Sequence, residues 1–297
     1  MKKTGFIAIV GRPNVGKSTL MNSLLGEKVA IVSNKPQTTR NRILGILTKD
    51  ENQFVFLDTP GVHSPKTKLG DYMMKSVRSS IGAADCAILI VDAGYPAGDI
   101  EKKIISNLKA NGLPTILVLN KIDMINREKL AETISGYAAL NDFDAYVPTC
   151  ASTGKNVEIV LEEAKKFLYE SDFVFDEDMI TDQPERQIAA EIIREKLLRS
   201  LSDEIPHGIA VIIDSFSEEN GILKILATIY CEKESHKGII VGKKGETLKK
   251  IGSNAREDIE RFFGQHVYLN LWVKVKENWR DSNFSLNNFG YNSKNLD

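Results

Sequence analysis

The stretch "GFIAIVGRPNVGKSTLMNSLL", Gly5 to Leu25, holds a glycine-rich loop between two runs of different period. "GFIAIV" is a short apolar run of the kind that forms a buried strand, and "KSTLMNSLL" spaces its apolar residues as a helix does. Between them, Gly11 to Ser18 matches G-x-x-x-x-G-K-[ST] at every fixed position. Glycines let successive backbone N–H groups curl around phosphate oxygens, and the following helix N-terminus adds a favourable dipole. Gly11, Arg12, Pro13, Asn14, Val15, Gly16, Lys17, Ser18 and Thr19 are therefore candidate nucleotide-binding residues. Lys17 is placed to reach the β and γ phosphates, and the Ser18 hydroxyl to ligate Mg²⁺.

The pattern that surrounds this loop sets the fold class. "QFVFLD", "CAILIVD" and "PTILVLN" read as further buried strands, with "DAYVPT" a weaker candidate. "DYMMKSVRSSI", "DIEKKIISNLKANG", "REKLAETISGYAAL" and "NVEIVLEEAKKFLYE" have helical spacing. Such alternation predicts an α/β domain over residues 1–170, a mostly parallel, doubly wound sheet covered on both faces.

Strand ends carry the other chemistry-bearing motifs. "LDTPG" puts Asp58 at the end of a strand about 40 residues after Lys17, where a carboxylate can hold Mg²⁺, and the Gly61 N–H can meet a γ-phosphate. Asp58, Thr59, Pro60, Gly61 and Val62 form a second set of candidate nucleotide-binding residues. "LVLNKID" ends another strand at Asn120, Lys121, Ile122 and Asp123. A carboxylate accepting two hydrogen bonds from one purine edge suits guanine; adenine offers no matching pair, and an unpaired acceptor costs about 1–3 kcal/mol or more. After the weakest strand, "PTCAS" places Cys150 and Ala151 where a backbone N–H can meet the guanine carbonyl oxygen.

Beyond residue 170 the alternation stops. Glu170 to Arg186 holds seven acidic residues against one arginine, which reads as a solvated acidic linker over 171–185. Residues 186–281 then follow the order α-β-β-α-α-β, an α+β unit with "ERQIAAEIIREKLLRSL" as its first helix and "HVYLNLWVKV" as its last strand. Trp272 in that strand reads as core or sheet-face packing, whereas Trp279 suits either a base or the first domain. Residues 282–297, rich in Asn and Ser, read as a flexible tail.

Inside the second unit, "HKGIIVGKKGETLKKIG" brackets Lys243 and Lys244 between Gly242 and Gly245. From Lys237 to Arg256 six basic residues meet one acidic residue. A G-x-x-G joining a short helical turn to a longer helix in this element order is the K-homology arrangement of type II, whose loop clamps the backbone of about four unpaired nucleotides. Lys237, Lys243, Lys244 and Lys249 are candidate phosphate contacts, and Ile239, Ile240 and Val241 a candidate apolar platform for bases. No hydroxyl follows a Gly-Lys pair here, so this loop lacks the Mg²⁺ ligand of the first.

Bulk properties exclude little but agree. The 297 residues exceed one typical domain, and a net charge of -1 announces no global nucleic-acid affinity, so a basic partner-binding face must be local. Three scattered cysteines form no C-x-x-C pair, which argues against a zinc site or disulfide framework. No run approaches about 18 apolar residues, so a cytoplasmic monomer is expected.

The glycine loop with "DTPG", "NKID" and "CAS", in this order and each at a strand end, resembles the translation-factor-like P-loop GTPases. With the acidic stretch, "TDQPERQIAAEIIREKLL", the "GKKG" loop and "LWVKVKENWR", residues 5 to about 282 resemble the bacterial Era family of GTPases. That resemblance implies GTP and GDP as ligands, Lys17, Thr39 and Gly61 in catalysis, and Ser18, Thr39 and Asp58 at the metal. It locates the first switch in "PQTTRNRI", with Thr38 the competing ligand to Thr39. It also implies that the second domain binds the 3′ end of 16S rRNA in assembly of the 30S subunit, with peripheral contact at the inner membrane. Many GTPases have a glutamine after the glycine of "DTPG"; this chain has Val62, then His63, which implies slow hydrolysis aided by K⁺ near Asn14. His63 itself reads as merely exposed on a switch loop.

Overall fold

The computed structural model describes residues 1–202 and 205–292. Its first half builds one sheet from β1 (Lys3–Val10), β2 (Ile43–Lys49), β3 (Asn52–Asp58), β4 (Cys86–Asp92), β5 (Thr115–Asn120), β6 (Ala145–Pro148) and β7 (Tyr169–Glu170). Spatial order is β2-β3-β1-β4-β5-β6, parallel except for β2, which runs antiparallel to β3, and β7 pairs antiparallel with β1 off this path. Strands β4 and β5 are apolar along nearly their whole length because helices cover both faces. α1 (Lys17–Leu25) and α5 (Val157–Lys165) pack on one face; α2 (Lys68–Gly82), α3 (Asp99–Ala110) and α4 (Arg127–Ala138) pack on the other.

The predicted parallel sheet is present, with two strands that sequence reading did not separate out. β2 follows directly from the first switch loop, and β7 pairs Tyr169 and Glu170 with Thr4 and Lys3, on the flank of β1 before β4 begins to pair at Ile7.

The acidic stretch 171–185 is not a free linker. It runs along the outer edge of the sheet: the N–H of Ile46 donates to the Ile180 carbonyl (2.9 Å), the Thr181 hydroxyl to the Leu44 carbonyl (2.7 Å), and Gln53 bonds Phe175 through both ends of its amide. An edge strand offers a row of unpaired backbone groups, and this stretch takes them up.

The second domain has the predicted order: α6 (Glu185–Ser200), β8 (Ala210–Glu219), β9 (Ile222–Cys231), α7 (Glu234–Val241), α8 (Glu246–Phe263) and β10 (His266–Val275). β10 lies parallel to β9, and β8 antiparallel to it. α6, α7 and α8 cover one face of this sheet; on the other, Tyr230 packs against Phe289 while β10 is left open. In β10 the odd-numbered Val267, Leu269, Leu271, Val273 and Val275 point to the core, so Trp272 stands 43% exposed on the open face, not in the core.

Residues 283–291 are likewise docked. α9 (Asn283–Asn288) follows a Ser282 cap, and Leu286 and Tyr291 bury themselves against Trp279 and against Leu69, Tyr72 and Met73 of α2. Trp279 is fully buried at this interdomain cluster and donates its indole N–H to the Gly208 carbonyl (2.9 Å), which decides its role as packing. Residues 293–297 lie outside the described residues.

Candidate functional site

The loop Gly11–Thr19 wraps the N-terminus of α1, and close packing explains its glycines. Gly16 has φ 106°, and a Cβ there would lie 2.3 Å from the Asn120 amide nitrogen; at Gly11 it would meet the Ile90 carbonyl at 2.4 Å. Lys17 is buried, its ammonium donating to the carbonyls of Arg12 (3.0 Å) and Gly11 (3.3 Å). Burial lowers its pKa to about 8, with the charge of Asp58 opposing.

Three oxygens converge beside it. Ser18 donates from Oγ to Asp58 Oδ2 at 2.6 Å, and Thr39 Oγ1 lies 2.9 Å from Ser18 Oγ and 3.4 Å from the same carboxylate oxygen. Thr38 instead turns away and donates to the Lys35 carbonyl at 2.6 Å. Burial raises Asp58 to about 6 against the charge of Lys17 and the Ser18 and Thr39 hydrogen bonds. Its Oδ1 is buried with no hydrogen-bond partner. A buried carboxylate oxygen without a partner, two hydroxyls and an all-oxygen set fit a hard cation such as Mg²⁺.

Gly61 abuts Pro13, where a Cβ would sit 2.7 Å from the proline Cα. Thr59 donates to the Ile9 carbonyl (2.8 Å), and the Val62 N–H donates to the Gly11 carbonyl (3.0 Å), so "DTPGV" is laced to the phosphate loop. Within this run Pro60 is buried and has no N–H to offer. Pro60 therefore cannot donate to a phosphate, and its ring fixes the backbone ahead of Gly61. Thr59, its hydroxyl spent on Ile9, is likewise a brace. Val62 is half-buried on the α2–α3 side. His63 is not merely exposed: Nδ1 lies 2.8 Å from the Gly61 carbonyl, and Nε2 is buried without a partner.

The purine side is organised by Asn120. Its amide donates to the Val15 carbonyl (2.8 Å) while its oxygen accepts from the Ala151 N–H (2.9 Å) and the Thr149 hydroxyl (3.3 Å). Asn120 is thus a brace between loops. The Cys150 N–H donates to the Lys155 carbonyl, so neither N–H proposed for a guanine oxygen is left unengaged. Lys121 lies across the phosphate loop, bonded to the Asn14 carbonyl (2.8 Å) and to Asp92 (2.9 Å), while Asp123 stands exposed beyond Ile122. Asp92, at the end of β4, was missed in the sequence, although "LIVD" has the same strand-end form as "FLD". The Asn14 side chain, at φ 64°, donates to the Asn34 carbonyl (2.9 Å).

The second loop is open. Gly242 has φ 74° and Lys244 φ 51°, and Lys243, Lys244 and Lys249 are exposed. Lys237 is half-buried and pairs loosely with Glu234 at 3.8 Å. α7 turns Ile240 fully into the core, so it cannot be part of a base platform; Ile239, 52% exposed, and half-buried Val241 remain. Beside the loop runs a groove of 370 Å³ between α8 and β10, walled by Leu248, Gly252, Arg256, Leu269 and Leu271 with Lys249. Of these, Lys249 was a candidate phosphate contact in the sequence, and Leu248 packs against the core while walling the groove. Apolar walls with a basic rim suit stacked bases beside a phosphate backbone.

Residues 6–121 match the family model described as 50S ribosome-binding GTPase, and residues 204–280 match that of the KH domain. GTPase Era of Ruminiclostridium cellulolyticum is 50% identical over 290 residues, 97% of each chain. GTPase Era of Clostridioides difficile is 50% identical over 297 residues, covering 99% of this chain and all of that one. The chain belongs to the Era family of GTPases. Its fold is accordingly a P-loop GTPase domain followed by a KH domain. An Aquifex aeolicus Era variant bound to GDP and AlF4⁻ superposes with a TM-score of 0.94 at 40% identity, over 97% of this chain and 99% of that one. An Era structure in complex with MgGDPNP and nucleotides 1506–1542 of 16S ribosomal RNA gives 0.95, also at 40% identity, over 98% and 99%.

Proposed function

We propose that this chain hydrolyses GTP and binds the single-stranded 3′ end of 16S rRNA during assembly of the small (30S) ribosomal subunit, with the nucleotide deciding when RNA is held. The observation that carries this reading is that the first switch loop and α2, which follows "DTPGVH", both touch the domain bearing the "GKKG" loop: Arg40 enters it, and Tyr72 of α2 shares a buried cluster with Ala210 and Trp279. The relative solved with MgGDPNP and 16S nucleotides supports the pairing of ligands.

Lys17 supplies positive charge to the β and γ phosphates, the Gly61 N–H meets the γ-phosphate, and Asp123 selects guanine. Ser18, Thr39 and Asp58 hold Mg²⁺, which when bound neutralises charge on the phosphates. Val62 cannot orient water by a side-chain hydrogen bond, so backbone groups and a K⁺ near Asn14 take that role, and intrinsic turnover is slow. Cytoplasmic placement as a monomer, with peripheral contact at the inner membrane, completes the reading; among the described residues no helix is long and apolar enough to cross a membrane.

The test measures binding of a short 16S 3′-end RNA in GDP and in a GTP analogue, for the unmodified chain and for Lys243→Asp with Lys244→Asp. RNA affinity is expected to fall on the order of tenfold or more in the double variant, with a salt slope about 1.4 smaller for two lost phosphate contacts. Unchanged affinity across nucleotides and variants rejects the reading, and competition by anionic vesicles in place of RNA favours a lipid-binding GTPase. Single-turnover hydrolysis that is equal in K⁺ and Na⁺ removes the potassium role.

A further inference from the structure

Thr39 lies between two residues that are each fastened to the second domain. On one side the Thr38 carbonyl accepts a hydrogen bond from Nη2 of Arg194, a residue of α6 that is 1% exposed and paired with Glu191. On the other, the Arg40 guanidinium is itself 1% exposed and enters the second domain. It donates to the carbonyls of Ile209 (2.6 Å) and His207 (3.0 Å), over the ring of Trp279. Upstream, Glu195 of α6 accepts the Val32 N–H (3.0 Å) and pairs with Lys28 (2.7 Å). Residues 32, 38 and 40 of one loop are thus held by α6 and by the turn before β8.

Neither arginine lines the nucleotide cleft, whose wall on this side is Gln37, Thr38 and Thr39. Nor does either look like a device for stability alone. A buried guanidinium carries a desolvation penalty that apolar packing would avoid. Arg40 meets neutral carbonyls and the Tyr291 hydroxyl in place of a carboxylate, and its Nε has no partner. What the two side chains achieve is directional: they fix the backbone on both sides of the hydroxyl that sits 2.9 Å from Ser18.

We propose that Arg40 and Arg194 are positioning residues for the GTPase reaction, holding Thr39 in its metal-ready place from the second domain. The inference rests on the reading of Thr39 as a metal ligand in the GTP state. GDP lacks the γ-phosphate that Thr39 closes over, so its binding should be indifferent to the clamp. By linkage, a ligand that shifts the second domain changes GTP affinity by the factor with which GTP changes its own.

The test uses the full chain with Arg40→Ala, Arg40→Lys, Arg194→Met and, as a control, Thr39→Ala. Affinities for GDP and for a non-hydrolysable GTP analogue are measured with Mg²⁺, and hydrogen exchange is followed over residues 33–42 without nucleotide. Expected for Arg40→Ala and Arg194→Met are GDP affinities within about twofold, GTP-analogue affinity about tenfold weaker, and faster exchange at 38–42, with Arg40→Lys intermediate. GDP affinity doubles as the check on folding; should Arg40→Ala not fold, Arg194→Met decides. Equal loss for both nucleotides, or no loss with unaltered exchange, overturns the proposal. If Thr39→Ala also leaves the GTP analogue bound as before, the metal-ligand reading fails; if only the arginine variants are silent, the clamp alone is wrong.

Discussion

In the loop Gly11–Thr19 the lysine is 6% exposed and spends its hydrogen bonds on two carbonyls of the same loop; in the loop Gly242–Gly245 both lysines stand in solvent. The first loop is crowded by Ile90, Asn120 and Gly61, and the second by Thr247 at its first glycine alone. The difference follows from the ligands the two loops suit. A nucleotide has a fixed set of phosphates, and enclosing them in a desolvated, preorganised pocket strengthens every contact. A single strand has a repeating backbone that must pass through, so its charges are better met by exposed lysines beside an apolar groove. Two glycine-lysine loops in one chain are therefore different tools, and substitutions in each should fail differently.

The largest break is expected at Gly16→Ala. The methyl would collide with an Asn120 amide held by Val15 and Ala151, at a φ that L-residues rarely adopt. Strain and one or two lost hydrogen bonds together amount to about 3 kcal/mol or more. GDP and GTP affinities should both fall by more than about a hundredfold in titration with a fluorescent nucleotide, while RNA affinity without nucleotide stays as before. Wild-type nucleotide affinity in this variant would show that the loop is not the phosphate site.

Asp123→Asn probes the purine end with a smaller effect. An amide loses one acceptor for guanine but can donate to the extra carbonyl of xanthine, so GTP affinity should drop by ~10- to 100-fold, about 1.4–3 kcal/mol, and xanthosine triphosphate should gain. Competition between the two nucleotides measures it, and unaltered guanine preference would contradict the assignment. Asp123 is exposed and touches no brace, so the change should leave melting temperature nearly unmoved.

How far the sequence could be read follows the same division. Strand-end motifs were legible because each sits at a fixed offset from an apolar run, and Asp58 and the phosphate loop do converge. Within such a motif, ligand contact and backbone bracing were not separable by letter, which is why Thr59 and Pro60 were read alongside Gly61. Orientation was less legible. "GIIV" is too short to set a helical phase, so nothing in it said that Ile240 would turn inward and Ile239 outward. "HVYLNLWVKV" alternates apolar Val267, Leu269, Leu271, Val273 and Val275 with His266, Tyr268, Asn270, Trp272 and Lys274, so its inward face was legible, whereas Trp272, open to core or sheet-face packing in the sequence, lies on the open face of the sheet. The Asn- and Ser-rich end reads as solvated by composition, yet Leu286, Phe289 and Tyr291 find the aromatic surface of Trp279 and Tyr72. Arg40 gave no local signal at all, since its partners lie 166 to 251 residues away.

The smallest effects should separate the two glycines of "GKKG" from each other. Gly242 has φ 74° and ψ 176°, a region open essentially to glycine alone, and a Cβ there would lie 2.1 Å from Thr247 Oγ1 and 2.9 Å from the Thr247 backbone nitrogen. Gly245 has φ 81° and ψ 7°, the left-handed helical region, with open space where a side chain would project. Asparagine tolerates that second conformation but not the first. Gly242→Asn should therefore displace the start of α8 and weaken RNA binding by roughly tenfold, about 1.4 kcal/mol. Gly245→Asn should cost less than about 0.5 kcal/mol, near twofold, because neither strain nor collision opposes it. Fluorescence anisotropy with the same RNA distinguishes them. Equal losses at the two positions would mean that the second glycine is needed for close approach of the RNA backbone and not for its own conformation, which would make this loop more like the first than its open surface suggests.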